Sequence, residues 1–466
     1  MKHAFRQTFK VCFILIIGIC GRPEVLDAQP AELPARAFTN VTLHHADGTV
    51  TEQANIVWRG GVIEAAGKNI TIPFDARVTN GGDSLHVYPG FISGYANWGA
   101  PDREQFRGSP PVPGYPDYAR AGIQTDAAPE RVIEDKPVFK EALKAGFTTS
   151  VIGLNGYMMP GHLTIFHLSD SDVKDKTYQR GIGQHFKFDY ARGAYPSTLM
   201  GTMARLRQLF FDAQALREHH QLFASSSKTS EISVPEHDAI LEALFPIIDG
   251  TVPLFVQADT PPDIERMLRL KSELGFEMVI IGGKQAWPMA ERLAAENIPV
   301  LLTLELPEKT EWMKEADKKN DEESNSDEKS ENDADEKEDN TEEETLTEEE
   351  KLYRERQMES RIEQLNNLRV LLDAGVKTGL ALNGVKVADF NTTLQTLLEH
   401  GYTESELLNM LTAQTAGILK QTSRLGDIRE GMIANMAVFN GSAFDKKPKA
   451  VYTVSAGRLY QLENLD

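Results

Sequence analysis

Cysteine is almost missing from this 466-residue chain: the two present, Cys12 and Cys20, both fall in its first twenty residues. Everything after them lacks a thiol, which excludes disulfides and cysteine-ligated metals there. No stripe of lysine and arginine runs along the chain, which argues against nucleic acid as a partner. No Gly-rich dinucleotide fingerprint or phosphate loop follows a predicted strand, and no nucleophile elbow occurs. Basic charge is scarce overall, at a formal net charge of −20. That imbalance is local. Between Asp321 and Glu350 stand seventeen Asp or Glu against two Lys, a balance of −15 that leaves only −5 for the rest.

The N-terminus has the pattern of an export signal. Lys2, Arg6 and Lys10 precede the apolar run "VCFILIIGIC", and small residues lead to Ala28. That run is too short to span a bilayer stably, so residues 1–28 are expected to be cleaved rather than to anchor the protein. Ile19 before Cys20 is too large for the lipoprotein pattern. A cysteine-free product suits an oxidising compartment, and a periplasmic or secreted location is expected, with no transmembrane anchor after cleavage.

What is present is a β–barrel–β order. Residues 29–88 alternate apolar and polar positions around Asp-Gly and Gly-Gly turns, as in "FTNVTLHHADGTV". Residues 424–466 have the same texture, in "NMAVFNG" and "AVYTVSAGRLYQL". The two segments are expected to pair into one composite β-sandwich. Between them, residues 89–423 alternate apolar strand runs with amphipathic helices such as "PPDIERMLRLKSELGF". Repeated strand–helix units of this kind predict an α/β fold, a (β/α)8 TIM-type barrel. Residues 308–351 break the rhythm: nearly free of apolar side chains, they are expected to form a disordered acidic insertion on the functional face of the barrel.

The stretches "VYPGFISGYANWG", "VPLFVQADTPPDIERMLRLKSELGFEMVIIGGKQAWPMAERLAAENIPVLL", "VKTGLALNGV" and "MLTAQTAGILKQTSRLGDIREGMIANMAVF" are similar, in order and spacing, to the amidohydrolase superfamily. The resemblance is close to its imidazolonepropionase-like group and covers nearly everything from Phe38 to the end except the insertion. The resemblance implies a barrel hydrolysing non-peptide carbon–nitrogen bonds, with zinc or another divalent metal lowering the pKa of a bound water. Its metal ligands would fall on Tyr95 and Asn97 after the first strand, Gln257, Gly282 or Gly283, and Asn383. None of these is a histidine or carboxylate. Asn and Gln offer weak carbonyl oxygens, and Asn383 cannot take a proton from water. The expectation is a lost metal site and no cofactor.

Other residues near the predicted mouth are candidates for replacement roles. His162 lies beside a barrel strand, with a satisfied structural histidine as its plainer reading. Asp259 follows a strand end, where capping the next helix is the favoured role. Trp98 would sit near the mouth as a stacking surface or as packing. Three functions remain open. One is a non-catalytic scaffold partnering an active amidohydrolase paralogue or a second copy. Another is an active hydrolase of cyclic amides or small peptide-like compounds with a rearranged site. The third is a periplasmic ligand- or cation-binding protein.

Overall fold

The computed structural model describes residues 33–82, 84–102, 117–134, 137–170, 176–191, 194–226, 232–315 and 347–464. The expected export signal and most of the acidic insertion lie outside the described residues. Alternating residues at the start of the chain form five strands: β1 (Arg36–His44), β2 (Val50–Arg59), β3 (Val62–Gly67), β4 (Arg77–Asn80) and β5 (Leu85–Pro89). Eight further strands follow: β6 (Phe91–Ala96), β7 (Phe147–Ile152), β8 (Gly161–His167), β9 (Thr177–Lys187), β10 (Leu254–Ala258), β11 (Met278–Gly282), β12 (Val300–Thr303) and β13 (Thr378–Ala381). The C-terminal segment contributes β14 (Met436–Asn440), β15 (Ala450–Ser455) and β16 (Arg458–Gln461).

The two ends of the chain share one sheet, in the order β16-β15-β14-β5-β1-β2-β3, with β4 beside β1. Its edges curl toward each other. The Trp58 indole N–H donates to the Gly457 carbonyl at 3.0 Å, and Phe38 meets Tyr452 at 6.0 Å. Aromatic and branched residues between them, among them Phe38, Ile56, Trp58 and Val438, form its core. The sheet and the barrel lie within one compact unit, residues 35–466. Thr453 and Ser455 donate from β15 to the carbonyls of Leu143 and Thr148, at 2.7 and 3.1 Å.

The eight middle strands make the second sheet, in simple chain order from β6 to β13. It nearly closes on itself: the Leu382 amide donates to the Tyr95 carbonyl at 3.2 Å, just past β13. Gly94 makes this closure possible, since a Cβ there would meet a Leu301 methyl at 2.6 Å. The expected all-parallel pattern holds for seven strands and fails at β8, which runs antiparallel to both β7 and β9. The cause is length. Residues 153–160, with their Pro-Gly end, are too few for the crossover helix that a parallel return needs. Ile92, Val151, Leu163, Ile165, Phe255 and Val279 are among the side chains that fill the barrel.

Helices α1 (Pro137–Lys144), α2 (Leu199–Ser225), α3 (Pro261–Leu274), α4 (Ala290–Ala295), α5 (Glu348–Asp373) and α6 (Phe390–Glu399) cover the barrel wall. In α3, proline opens the first turn, Ile264, Met267, Leu268 and Leu274 are buried, and Gly275 ends the helix at φ 76°. Helix α5 starts at Glu348, inside the end of the span 308–351 that was expected to be disordered. Thr347 and Glu350 form a reciprocal capping box there, and three glutamates occupy the positive first turn. Acidity at a helix N-terminus is helix-forming, which composition alone conceals. None of the described helices is long and apolar enough to cross a membrane.

Candidate functional site

Because seven strands are parallel, their C-terminal ends meet at one mouth, where a barrel carries its site. Tyr95 stands near the end of β6, 2 % exposed, and its hydroxyl lies 3.4 Å from His185 Nδ1. Burial pushes the phenol well above its ordinary range, so it stays protonated. His185, near the end of β9, is 1 % exposed. Burial pulls it down to about 3, and the Lys187 ammonium two residues on pulls the same way. The Gln257 amide is near enough to oppose that shift, yet no atom closes a hydrogen bond to Nε2, which stays buried and unpartnered.

The structure therefore brings Tyr95 and Gln257 together around a histidine that the sequence reading did not single out. The available signal was spacing: Gly183, His185 and Lys187 share one strand face, the face turned into the barrel. The other predicted positions do different work. Asn97 donates to the Asn155 side chain at 2.6 Å, and Asn155 donates to the Pro101 carbonyl at 3.0 Å, tying two loops over the mouth. Asn383 accepts from Thr303 Oγ1 through its backbone carbonyl at 2.6 Å. Gly282 makes room. It sits at φ 100°, and a Cβ there would meet Asp259 Oδ1 at 2.2 Å.

Asp259 does not cap α3. The N-cap is Thr260, whose hydroxyl donates to Asp263 at 2.8 Å instead. Asp259 turns toward Gly282 and keeps a buried, unpartnered Oδ1. Burial raises its carboxyl above the usual range, with the Lys284 ammonium opposing. Lys284 itself pairs with Glu305 at 2.6 Å. His162 points outside the barrel, 3.4 Å from Glu130, which also holds Thr164 at 2.9 Å and Arg180 at 3.3 Å. It takes the structural role. Trp98, 8 % exposed, packs edge-on against Phe147 at 6.2 Å in the layer between barrel and helices, so it offers no stacking surface.

No family model matches the sequence, and no curated protein matches it. Solved structures do. An amidohydrolase from Thermotoga maritima MSB8 superposes with a TM-score of 0.70 at 20 % identity, over 91 % of this chain and 100 % of that one. This chain has the amidohydrolase fold. An uncharacterized protein with a TM-score of 0.53 at 16 % identity, and another amidohydrolase with 0.50 at 15 %, match over 92 % of this chain and 99 % of theirs. At such identities the amidohydrolase fold is what is shared, and chemistry has to be argued from the mouth. Among the described residues, no three His, Cys, Asp or Glu side chains converge as metal ligands.

Proposed function

We propose that this chain is an exported amidohydrolase-fold protein that works without a resident catalytic metal, as a non-catalytic scaffold or binding partner. Its partner is an active paralogue of the same fold or a second copy. One observation carries the reading: the residue set at the mouth. A catalytic divalent metal needs imidazole or carboxylate donors and a base to move the proton of its water. At the family positions stand a phenol held protonated by burial, three carboxamides and a glycine. His185 supplies a single imidazole, already beside the Tyr95 hydroxyl. This donor set does not fit such a metal, and no step is derived through one. Export rests on the basic-then-apolar N-terminal pattern.

Asp259 favours a second reading, a hydrolase with a rearranged site, because a buried carboxyl of raised pKa with a free oxygen suits general acid–base work. One experiment separates the two. Protein purified without chelator is expected to carry well under one equivalent of zinc, iron or manganese by elemental analysis. It is also expected to hydrolyse neither cyclic amides nor dipeptides above background. Stoichiometric, chelator-sensitive metal would overturn the scaffold reading, as would amide hydrolysis abolished in Asp259→Asn.

A further inference from the structure

Helix α2 turns an apolar face to solvent. Between Met200 and Glu218 its exposed positions are 200, 204, 208, 211, 215 and 218, steps of four and three that keep to a single stripe. Leu222 continues it one turn further. A helix on a barrel wall normally gives this stripe to polar residues, as the neighbouring α3 does with Arg269, Ser272 and Glu273. On α2 it holds Ala204 and Ala215 and three large apolar side chains, Met200, Phe211 and Leu222, which are 81, 51 and 59 % exposed. Only Gln208 and Glu218 are polar, and the Gln208 amide already donates to Asp212 on the same helix at 2.7 Å. Apolar side chains lined up along one rigid helix mark a contact surface, unlike apolar residues scattered singly.

The stripe is symmetric about Phe211. Met200 stands eleven residues before it and Leu222 eleven after, and Ala204 and Glu218 stand seven to either side. A two-fold axis at Phe211 therefore lays Met200 on the partner's Leu222 and the small Ala204 against the partner's Glu218. Charge selects the antiparallel direction. Arg207 and Glu218 are eleven residues apart, about three turns, so they flank the stripe on one side. Antiparallel pairing brings Arg207 beside the partner's Glu218, twice by symmetry, whereas parallel pairing would stack Glu218 on Glu218. We propose that α2 is the contact surface of a homodimer, packed antiparallel on α2 of a second copy with Phe211 at the two-fold axis. Its 27 residues span about 40 Å, so a strip one helix wide buries roughly 400 Å² on each copy. That is low for a specific pair, so a reversible dimer is expected rather than a permanent one. The proposal rests on the partner reading above and not on the chemistry of the mouth, which metal content and amide hydrolysis test separately.

Sedimentation of the purified full chain over roughly 1–100 µM is expected to show a monomer–dimer equilibrium. Phe211→Glu, at an exposed position, is expected to weaken the dimer at least about a hundredfold, because both copies place the charge at the axis. Glu218→Arg is expected to weaken it about tenfold, and adding Arg207→Glu to restore the parent affinity. Direction is read by cross-linking in a Cys12→Ser, Cys20→Ser background. Oxidation is expected to join Phe211→Cys to its own copy but not Met200→Cys, whose two copies lie about 33 Å apart in the antiparallel pair. A chain still monomeric at roughly 100 µM overturns the proposal and gives the stripe to a partner other than a second copy. So does a dimer that Phe211→Glu leaves intact, or one in which Met200→Cys cross-links to itself. If circular dichroism finds Phe211→Glu unfolded, unchanged affinity in Glu218→Arg overturns it instead.

Discussion

Two buried histidines mark the two ends of the barrel interior, and they are treated differently. His167 ends the reversed strand β8, at the end away from the mouth. Its Nδ1 lies 3.5 Å from the Thr149 hydroxyl, which in turn accepts from Asn435 Nδ2 at 3.3 Å. Asn435 belongs to the C-terminal segment, so the composite sheet supplies part of the polar network that closes this end. At the mouth, His185 meets Tyr95 on one side and leaves Nε2 without a partner. Burial keeps both rings neutral, pulling His167 down to about 4 and His185 to about 3. Both ends keep some polar capacity unused: Thr148 Oγ1 and Thr177 Oγ1 are buried without partners at the far end, as His185 Nε2 and Asp259 Oδ1 are at the mouth. The difference is in kind, since hydroxyls are left over at the far end and an imidazole nitrogen and a carboxylate oxygen at the mouth.

The largest test of this contrast is acid. Both histidines titrate lower in the folded protein than near 6.5 in the unfolded chain, so below that pH the unfolded state binds the extra protons. The stability these two rings contribute is therefore present above pH 6.5, falls as pH drops through the window toward 4, and stops changing below about 3. Each ring contributes roughly 1.4 kcal/mol per pH unit inside that window, a loss on the order of several kcal/mol by pH 4.5. Urea unfolding at stepped pH reads it, and a flat profile between 6.5 and 4.5 would contradict neutral burial.

Substitution separates the two ends more finely. His167→Ala removes a packed ring and opens a cavity beside Tyr178, which lies 4.7 Å from it between ring centres, and is expected to cost about 2–4 kcal/mol. His185→Leu combined with Tyr95→Phe, so that the buried phenol hydroxyl is not left without its partner, is expected to stay within about 1 kcal/mol of the parent, because it also removes a ring nitrogen that has no partner. A loss as large as that of His167→Ala would mean that the mouth pair holds the fold as strongly as the packed ring at the far end. Tyr95→Phe should move stability least, by roughly 0.5 kcal/mol, since its contact to His185 is long at 3.4 Å. Chemical denaturation of the three variants under one buffer makes the comparison.

Much of the fold was legible beforehand because period and turn chemistry are local signals. Alternation predicted the strands of the composite sheet, and amphipathic spacing predicted α3. The reversed strand β8 was not legible: "TIFH" has the same apolar texture whichever way it runs, and only the short 153–160 connection decides direction. The early start of α5 was missed for a related reason. A run of glutamates reads as solvated chain until Thr347 and Glu350 close a cap.

At the site, residue identity carried further than residue role. The sequence by itself determined which side chains stand where the resemblance implies metal ligands, because Tyr95, Asn97, Gln257, Gly282 and Asn383 are read from the chain directly. Only tertiary structure decided what they do. His185 acquires its place because β9 lies between β8 and β10, and Asp259 leaves the helix cap because Gly282 clears space for it. Trp98 and His162 turn away from the mouth because outward-facing partners, Phe147 and Glu130, bury or pair them. Composition and spacing record what a chain carries. Which polar atoms end without partners depends on contacts between residues far apart in it.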